Sequence, residues 1–308
     1  MTSLAHKLGE LKTRLREVND LNSAGAVLYW DQATYMPPGG AEARGRQIAL
    51  LARTAQEKFI DPAVGKLLDD LQPLAESLPF DSDDASLIRV TRREYEKAVR
   101  IPPDFLALFS EHSSAGYQAW TEARPANNFK KTIPFLEKTL DLSRRLADFF
   151  PGYEHIADPL INFADYGMKT TTIRKIFSAL SGRLVPLVQA ITAQDPGDDS
   201  CLKQFFPEKQ QLAFGEMVIE KFGFDFSRGR QDKTHHPFET RFSSGDVRIA
   251  TRIQEHDFGD GFFSTTHESG HALYEQGVVP ALEGTPLAQG ASAALHESQS
   301  RTWENIVS

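Results

Sequence analysis

Apolar residues recur at three- and four-residue steps through most of the first two thirds of the chain. Leu4, Leu8, Leu11, Leu15, Val18 and Leu21 fall on one stripe, as the buried side of an amphipathic helix requires. Comparable periodicity runs through about 84–99, 104–122, 133–150, 172–191 and 208–222. Breakers divide these runs: Pro102-Pro103, Pro125-Ala126-Asn127-Asn128 and Asp195-Pro196-Gly197-Asp198. The pattern predicts a mainly α, multi-helix body over 1–225. No repeat of fixed period and no low-complexity stretch is present, so neither a solenoid nor a linker is indicated.

The rhythm changes near residue 241. Val247, Ile249, Thr251 and Ile253 alternate with Arg248, Ala250 and Arg252 after a Ser-Ser-Gly-Asp turn, which predicts a β-hairpin. Such a hairpin is either a plain structural element or an edge on which an extended peptide lies by main-chain hydrogen bonds. Residues 226–308 then hold the hairpin and two further helices, and 1–308 forms one domain.

Composition narrows the class. The chain has 308 residues, 40% hydrophobic and 25% charged, as ordinary soluble globular proteins do. A net charge of -8 and the lack of any Lys/Arg run with interleaved aromatics exclude a nucleic-acid partner. No stretch reaches the roughly 18 apolar residues of a membrane span. The N-terminus is charged and periodic, and Cys201 is the single cysteine, so the expected location is cytoplasmic. Cys201 has no base at nucleophile spacing, which removes a thiol hydrolase.

The chemistry lies in His267-Glu268-Ser269-Gly270-His271. Thr265 or Thr266 is expected to cap a helix that Gly277 ends. On that helix His267 and His271 are offset by about 40°, so both imidazoles reach one ion. Glu268 then stands where a general base can take a proton from water attacking a carbonyl. A third His at metzincin spacing is absent, because Tyr274 and Gly277 occupy the positions of its Gly and His. A second helix over about 293–304 offers His296 or Glu297. Glu297 gives the His2Glu set that leaves one position of a zinc ion open, although an exposed polar pair accounts for the same two residues.

Beyond the metal motif, Trp30-Asp31-Gln32-Ala33-Thr34-Tyr35-Met36-Pro37-Pro38-Gly39-Gly40 with Arg44 and Gln47, His236-Pro237-Phe238, Asp246-Val247-Arg248-Ile249-Ala250, the segment 263–277 and His296-Glu297-Ser298-Gln299 occur in that order. Together they resemble the motifs of the M32 metallocarboxypeptidases. The resemblance implies a zincin-like helical fold with a deep groove and a small sheet beside the metal. It implies a homodimer, one divalent ion (zinc, or alternatively cobalt), and removal of single residues from peptides with a free C-terminus. It assigns the metal to His267, His271 and Glu297 and the base to Glu268, and it marks His236, Asp246 and Arg248 as substrate contacts.

The pattern departs from the family in two places. Ala250 stands where the Asp-x-Arg-x-Thr motif has Thr, with Thr251 beside it. The later motifs Ile-Arg-x-x-Ala-Asp and Gly-x-x-Gln-Asp-x-His-Trp have no counterpart, so the chain is expected to be an N-terminal part of the family length with apolar helix faces exposed. Holding a terminal carboxylate needs a cation, for which Arg248 and Arg252 are the local candidates. The competing expectations are a metal-binding fragment without turnover and an endopeptidase with an open groove. His112, His155, His235 and His256 fall outside the metal spacing, and Trp30 and Trp120 read as core.

Overall fold

The apolar stripe that begins at Leu4 continues well past Leu21. The computed structural model describes residues 3–308, and its first helix, α1, spans Ser3–Thr34, so Trp30-Asp31-Gln32-Ala33-Thr34 is the end of that helix. Leu8, Leu11 and Leu15 pack against Val64, Leu67, Leu68 and Leu71 of α3 (Pro62–Ser77) and against Leu87 and Ile88 of α4 (Asp83–Ala98). The Asp61 side chain caps α3 by accepting from the Ala63 N–H at 2.8 Å.

Periodicity did not mark α2 (Ala41–Phe59), because its buried positions are Gly45, Ala49, Ala55 and Gln56, small or polar residues that leave no apolar stripe. Helix α3 also escaped it, even though its buried positions are Val and Leu. The remaining body comprises α5 (Pro103–Ala123), α6 (Ile133–Asp148), α7 (Ala157–Ala164), α8 (Thr170–Thr192) and α9 (Glu208–Phe222). A second core joins Ile101, Phe105 and Leu142. Helix α8 carries Ile176, Phe177, Leu180, Leu187 and Ile191 at the surface. Among the described residues no helix is long and apolar enough to cross a membrane.

The sheet has three strands, β1 (Gly229–Lys233), β2 (Phe238–Ser243) and β3 (Asp246–Thr251), in the order β1-β3-β2. Strands β2 and β3 form the expected antiparallel hairpin, and β1 adds to β3 in parallel. Two expectations are corrected here. Ile253 lies past the end of β3, and β3 is the central strand, so the free edges belong to β1 and β2. The Gly-Arg-Gln-Asp-Lys sequence of β1 has no apolar alternation; a buried Asp232, which accepts from the Tyr35 hydroxyl at 2.5 Å, anchors it instead.

Alternation along β3 sends side chains to two helical layers. Val247 and Ile249 join Ile219, Phe224 and Ala272 in a third core, whereas Arg248 turns to the other face and lies 4.4 Å from the Trp30 ring centroid. Ala272 belongs to α10 (Phe258–Gln276), so this helix backs the sheet on the face opposite α1. The expected cap at Thr265 or Thr266 is overturned. The helix starts at Phe258, and both threonines sit inside it, their hydroxyls donating to Gly261 O at 2.9 Å and Phe263 O at 3.0 Å. Phe258 and Phe262 pack on Phe214 of α9, which extends the helix toward its N-terminus. Gly277 follows its last turn, as expected. The second helix, α11, spans Ala293–Thr302, with the Ser292 hydroxyl capping it by accepting from Leu295 N–H at 3.1 Å.

Candidate metal centre

Two helices must approach closely for their side chains to converge, and Gly270 permits this. A Cβ on Gly270 would stand 2.6 Å from Ser300 Cα and 3.0 Å from Gln299 O, so only glycine lets α11 lie against α10 at this point. Ser300 is fully buried there. The approach brings Glu297 over the two histidines: its carboxylate oxygens are 3.7 Å from His267 Nε2 and 3.3 Å from His271 Nε2. Ligands each about 2.0–2.1 Å from a tetrahedral zinc ion lie roughly 3.3 Å from one another, so the separations of these atoms suit a shared ion. His267, Glu268 and His271 also offer ligand atoms that all lie within 4.8 Å of one another.

The far side of each imidazole is held as well. His267 Nδ1 lies 2.8 Å from Glu304 Oε2, and Arg301 donates to both Glu304 and Glu297 at 2.8 and 3.1 Å. His271 Nδ1 lies 2.5 Å from His296 Nδ1, and His296 Nε2 lies 2.8 Å from Glu275 Oε1. One set of tautomers satisfies every contact: His271 Nδ1–H donates to His296, and His296 Nε2–H donates to Glu275. His267 and His271 then both keep the Nε2 lone pair free for a cation. His296, the alternative third ligand, therefore has both its ring nitrogens engaged.

Burial tunes the ionisable groups. Glu268 is 7% exposed. Burial, then the Glu297 carboxylate, and lastly Glu304 push its pKa up to about 8, against a main-chain N–H donated by Glu239. His271 is driven down to about 4, first by burial and then by His296 and His267, so its ring is neutral at physiological pH. Glu239, on β2, is held well above the ordinary carboxyl range by burial, with Glu275 and Glu268 adding to it.

The other expected site residues lie elsewhere. Asp246 and Arg248 form a bidentate pair, 2.8 Å at each contact, on the α1 side of the sheet. Arg252 is similarly closed on Asp260 at 3.0 and 2.7 Å. His236 is exposed in the β1–β2 connection, edge-on to Trp120 with centroids 6.2 Å apart. Ala250 and Thr251 are fully buried, and the Thr251 hydroxyl faces Gly261 O at 3.4 Å. Sequence reasoning passed over Glu304, Glu275 and Glu239. The first two stand seven residues after Glu297 and four after His271, on the same helical faces, which was a usable signal.

Thermostable carboxypeptidase 1 of Thermus thermophilus is 36% identical over 304 residues, covering 95% of this chain and 59% of that protein. Carboxypeptidase 1 of Bacillus subtilis is 32% identical over 294 residues, 95% of this chain and 58% of that protein. The crystal structure of an M32 carboxypeptidase from Deinococcus radiodurans superposes with a TM-score of 0.85 at 47% identity, covering 98% of this chain and 60% of that one. The chain thus spans about three fifths of the length of the relatives it matches. The sequence profile described as Carboxypeptidase Taq (M32) metallopeptidase matches residues 10–308, and the chain belongs to that M32 family.

Proposed function

We propose that this chain carries the hydrolytic centre of a carboxypeptidase that removes C-terminal residues from peptides, with zinc held by His267, His271 and Glu297 and with Glu268 as general base. The observation that carries the reading is the convergence of both Nε2 atoms on the Glu297 carboxylate beside a buried Glu268. A divalent ion held there supplies a positive charge that polarises the scissile carbonyl and acidifies a water molecule. With the ion's positive charge favouring its carboxylate form, Glu268 accepts the water's proton and hands it to the departing amine. Strand β2 is a free sheet edge whose Glu239 N–H touches Glu268, so an extended peptide on that edge has its carbonyl near the base.

The same reading takes His236, Asp246 and Arg248 as substrate contacts, a homodimer as the assembly and the cytoplasm as the location. The family resemblance supports the first two and the single cysteine supports the third. A second reading, a metal-binding chain without turnover, is favoured by one observation: both nearby arginines on or after β3 are already closed on Asp246 and Asp260. A substrate carboxylate would have to displace those partners.

Zinc content and release of the C-terminal residue from a short blocked peptide, measured on one sample beside Glu268→Gln, separate the readings. One zinc per chain with release abolished in the variant supports the enzyme. Zinc without release supports the second reading, and no bound zinc sinks the site.

A further inference from the structure

A polar cavity of about 340 Å³ opens between α1 and β2, with Glu239 in its lining. Asn19 and Asn22 of α1, Glu239, Arg241 and Phe242 of β2, and Glu275 of α10 line it. Three of its polar atoms are buried with no hydrogen-bond partner: Glu239 Oε1, Arg241 Nε and Glu275 Oε2. Glu275 is only 6% exposed. Arg241 Nε lies 3.6 Å from Glu275 Oε2, too far for a hydrogen bond, and the rest of its guanidinium is taken by Ala288 O at 2.6 Å and Glu283 at 2.8 Å. Buried polar groups are nearly always paired, so two carboxyls with open acceptor positions on one cavity mark a place where a donor is missing.

We propose that this cavity binds a primary alkylammonium group, delivered either by a lysine side chain of a peptide or by a free amine. An ammonium brings three N–H donors and no acceptor, which matches the open oxygens of Glu239 and Glu275 together with an asparagine carbonyl. Its alkyl arm lies along Phe242. A bare metal ion fits less well: the cavity has more than ten times the roughly 30 Å³ of a water molecule, and two carboxylates are few for a hard cation that collects six or more oxygens. Burial raises the Glu239 carboxyl well above its ordinary range, and a cation beside it favours its ionised, accepting form. Glu275 spends its other oxygen on His296, which supports His271, so occupancy is felt at the metal ligands through one continuous hydrogen-bonded chain. The lysine-side-chain arm rests on the peptidase reading above; the ammonium site does not.

Calorimetric titration of the intact chain tests the proposal with three probes: Nα-acetyl-lysine amide, the uncharged Nα-acetyl-norleucine amide and cadaverine. The ammonium probes should bind at least tenfold more tightly than the norleucine probe. Glu239→Gln, and independently Asn22→Leu, should remove at least tenfold of that binding while zinc content is unchanged. Tighter binding of the lysine probe than of cadaverine assigns the site to peptides, and equal binding assigns it to free amines. Equal affinity for the lysine and norleucine probes, or lysine binding untouched by both substitutions, overturns the proposal. Because probe binding requires no turnover, loss of peptide release with probe binding intact defeats only the peptidase reading.

Discussion

Glu304 stands 2.8 Å from His267 Nδ1, two residues beyond the end of α11, and so holds the ring with Nε2 aimed at Glu297. A carboxylate in that position fixes the tautomer and raises the basicity of the ligand nitrogen, and losing it typically costs 10–100-fold in metal affinity. Glu304→Ala is therefore expected to weaken zinc binding by about 10–100-fold. Competition with a fluorescent chelator reads this directly, with far-UV circular dichroism to establish that the helices remain. Unchanged affinity would remove Glu304 from the site.

His296 acts on His271 differently, as a relay between that ring and the buried Glu275. His296→Leu takes away the acceptor for His271 Nδ1–H and leaves a carboxylate oxygen without its donor. Zinc affinity should fall by about 10–100-fold, and the metal-free chain should lose about 1–3 kcal/mol in urea melts. Adding Glu275→Leu to His296→Leu should recover part of the stability but none of the metal affinity, since the uncompensated buried group goes while His271 stays unsupported. Recovery of both would mean that His296 acts only on stability.

How much of this could be read beforehand depends on the range of the interactions. His267, Glu268 and His271 are set by helical spacing within five residues, and Glu297 follows from the need for a third ligand on the next helix. Glu239 could not be found that way. Its nearness to Glu268 depends on the pairing of Glu239 with Ile249 across the β2–β3 hairpin and on α10 packing over that face. Strand β1 was illegible for a related reason, since its polar residues are held by a parallel neighbour and not by an apolar face of their own. The start of α10 was misplaced because threonines resemble caps locally, whereas aromatic packing of Phe258 and Phe262 on Phe214 decides where the helix begins.

Gly270 ties the fold to the site. In Gly270→Ala the new methyl meets backbone, Ser300 Cα at 2.6 Å and Gln299 O at 3.0 Å, and neither can rotate away. Helix α11 must shift outward, carrying Glu297 from the histidines. The expected results are about 1–3 kcal/mol of overpacking cost and a loss of zinc affinity larger than that of Glu304→Ala. Gly259→Ala, on the first turn of the same helix, has its nearest neighbour at an ordinary 3.6 Å and should be neutral or slightly stabilising. Equal behaviour of the two variants in urea melts and zinc titration would show that α11 is not held by close approach at Gly270.

The shifted pKa values make the metal-free chain sensitive to pH in opposite senses. Glu268 rises from an ordinary 4.5 to about 8 on folding, so its stabilising contribution is complete at low pH and is lost as pH climbs through 8. Glu239 acts in the same sense. His271 falls from 6.5 to about 4, so its contribution is complete above 6.5 and is lost as pH drops through 4. Between about 4.5 and 6.5 the effects of Glu268 and His271 oppose each other; from 6.5 to 8 the carboxyl effects act alone. Urea midpoints of chelator-treated protein should therefore fall across pH 6.5 to 8, with a Glu268 share of about 1–2 kcal/mol. Glu268→Gln removes its share of that slope, and Glu268→Gln with Glu239→Gln should leave the window flat. A wild-type slope that survives the double substitution would place the titrating group outside this pair.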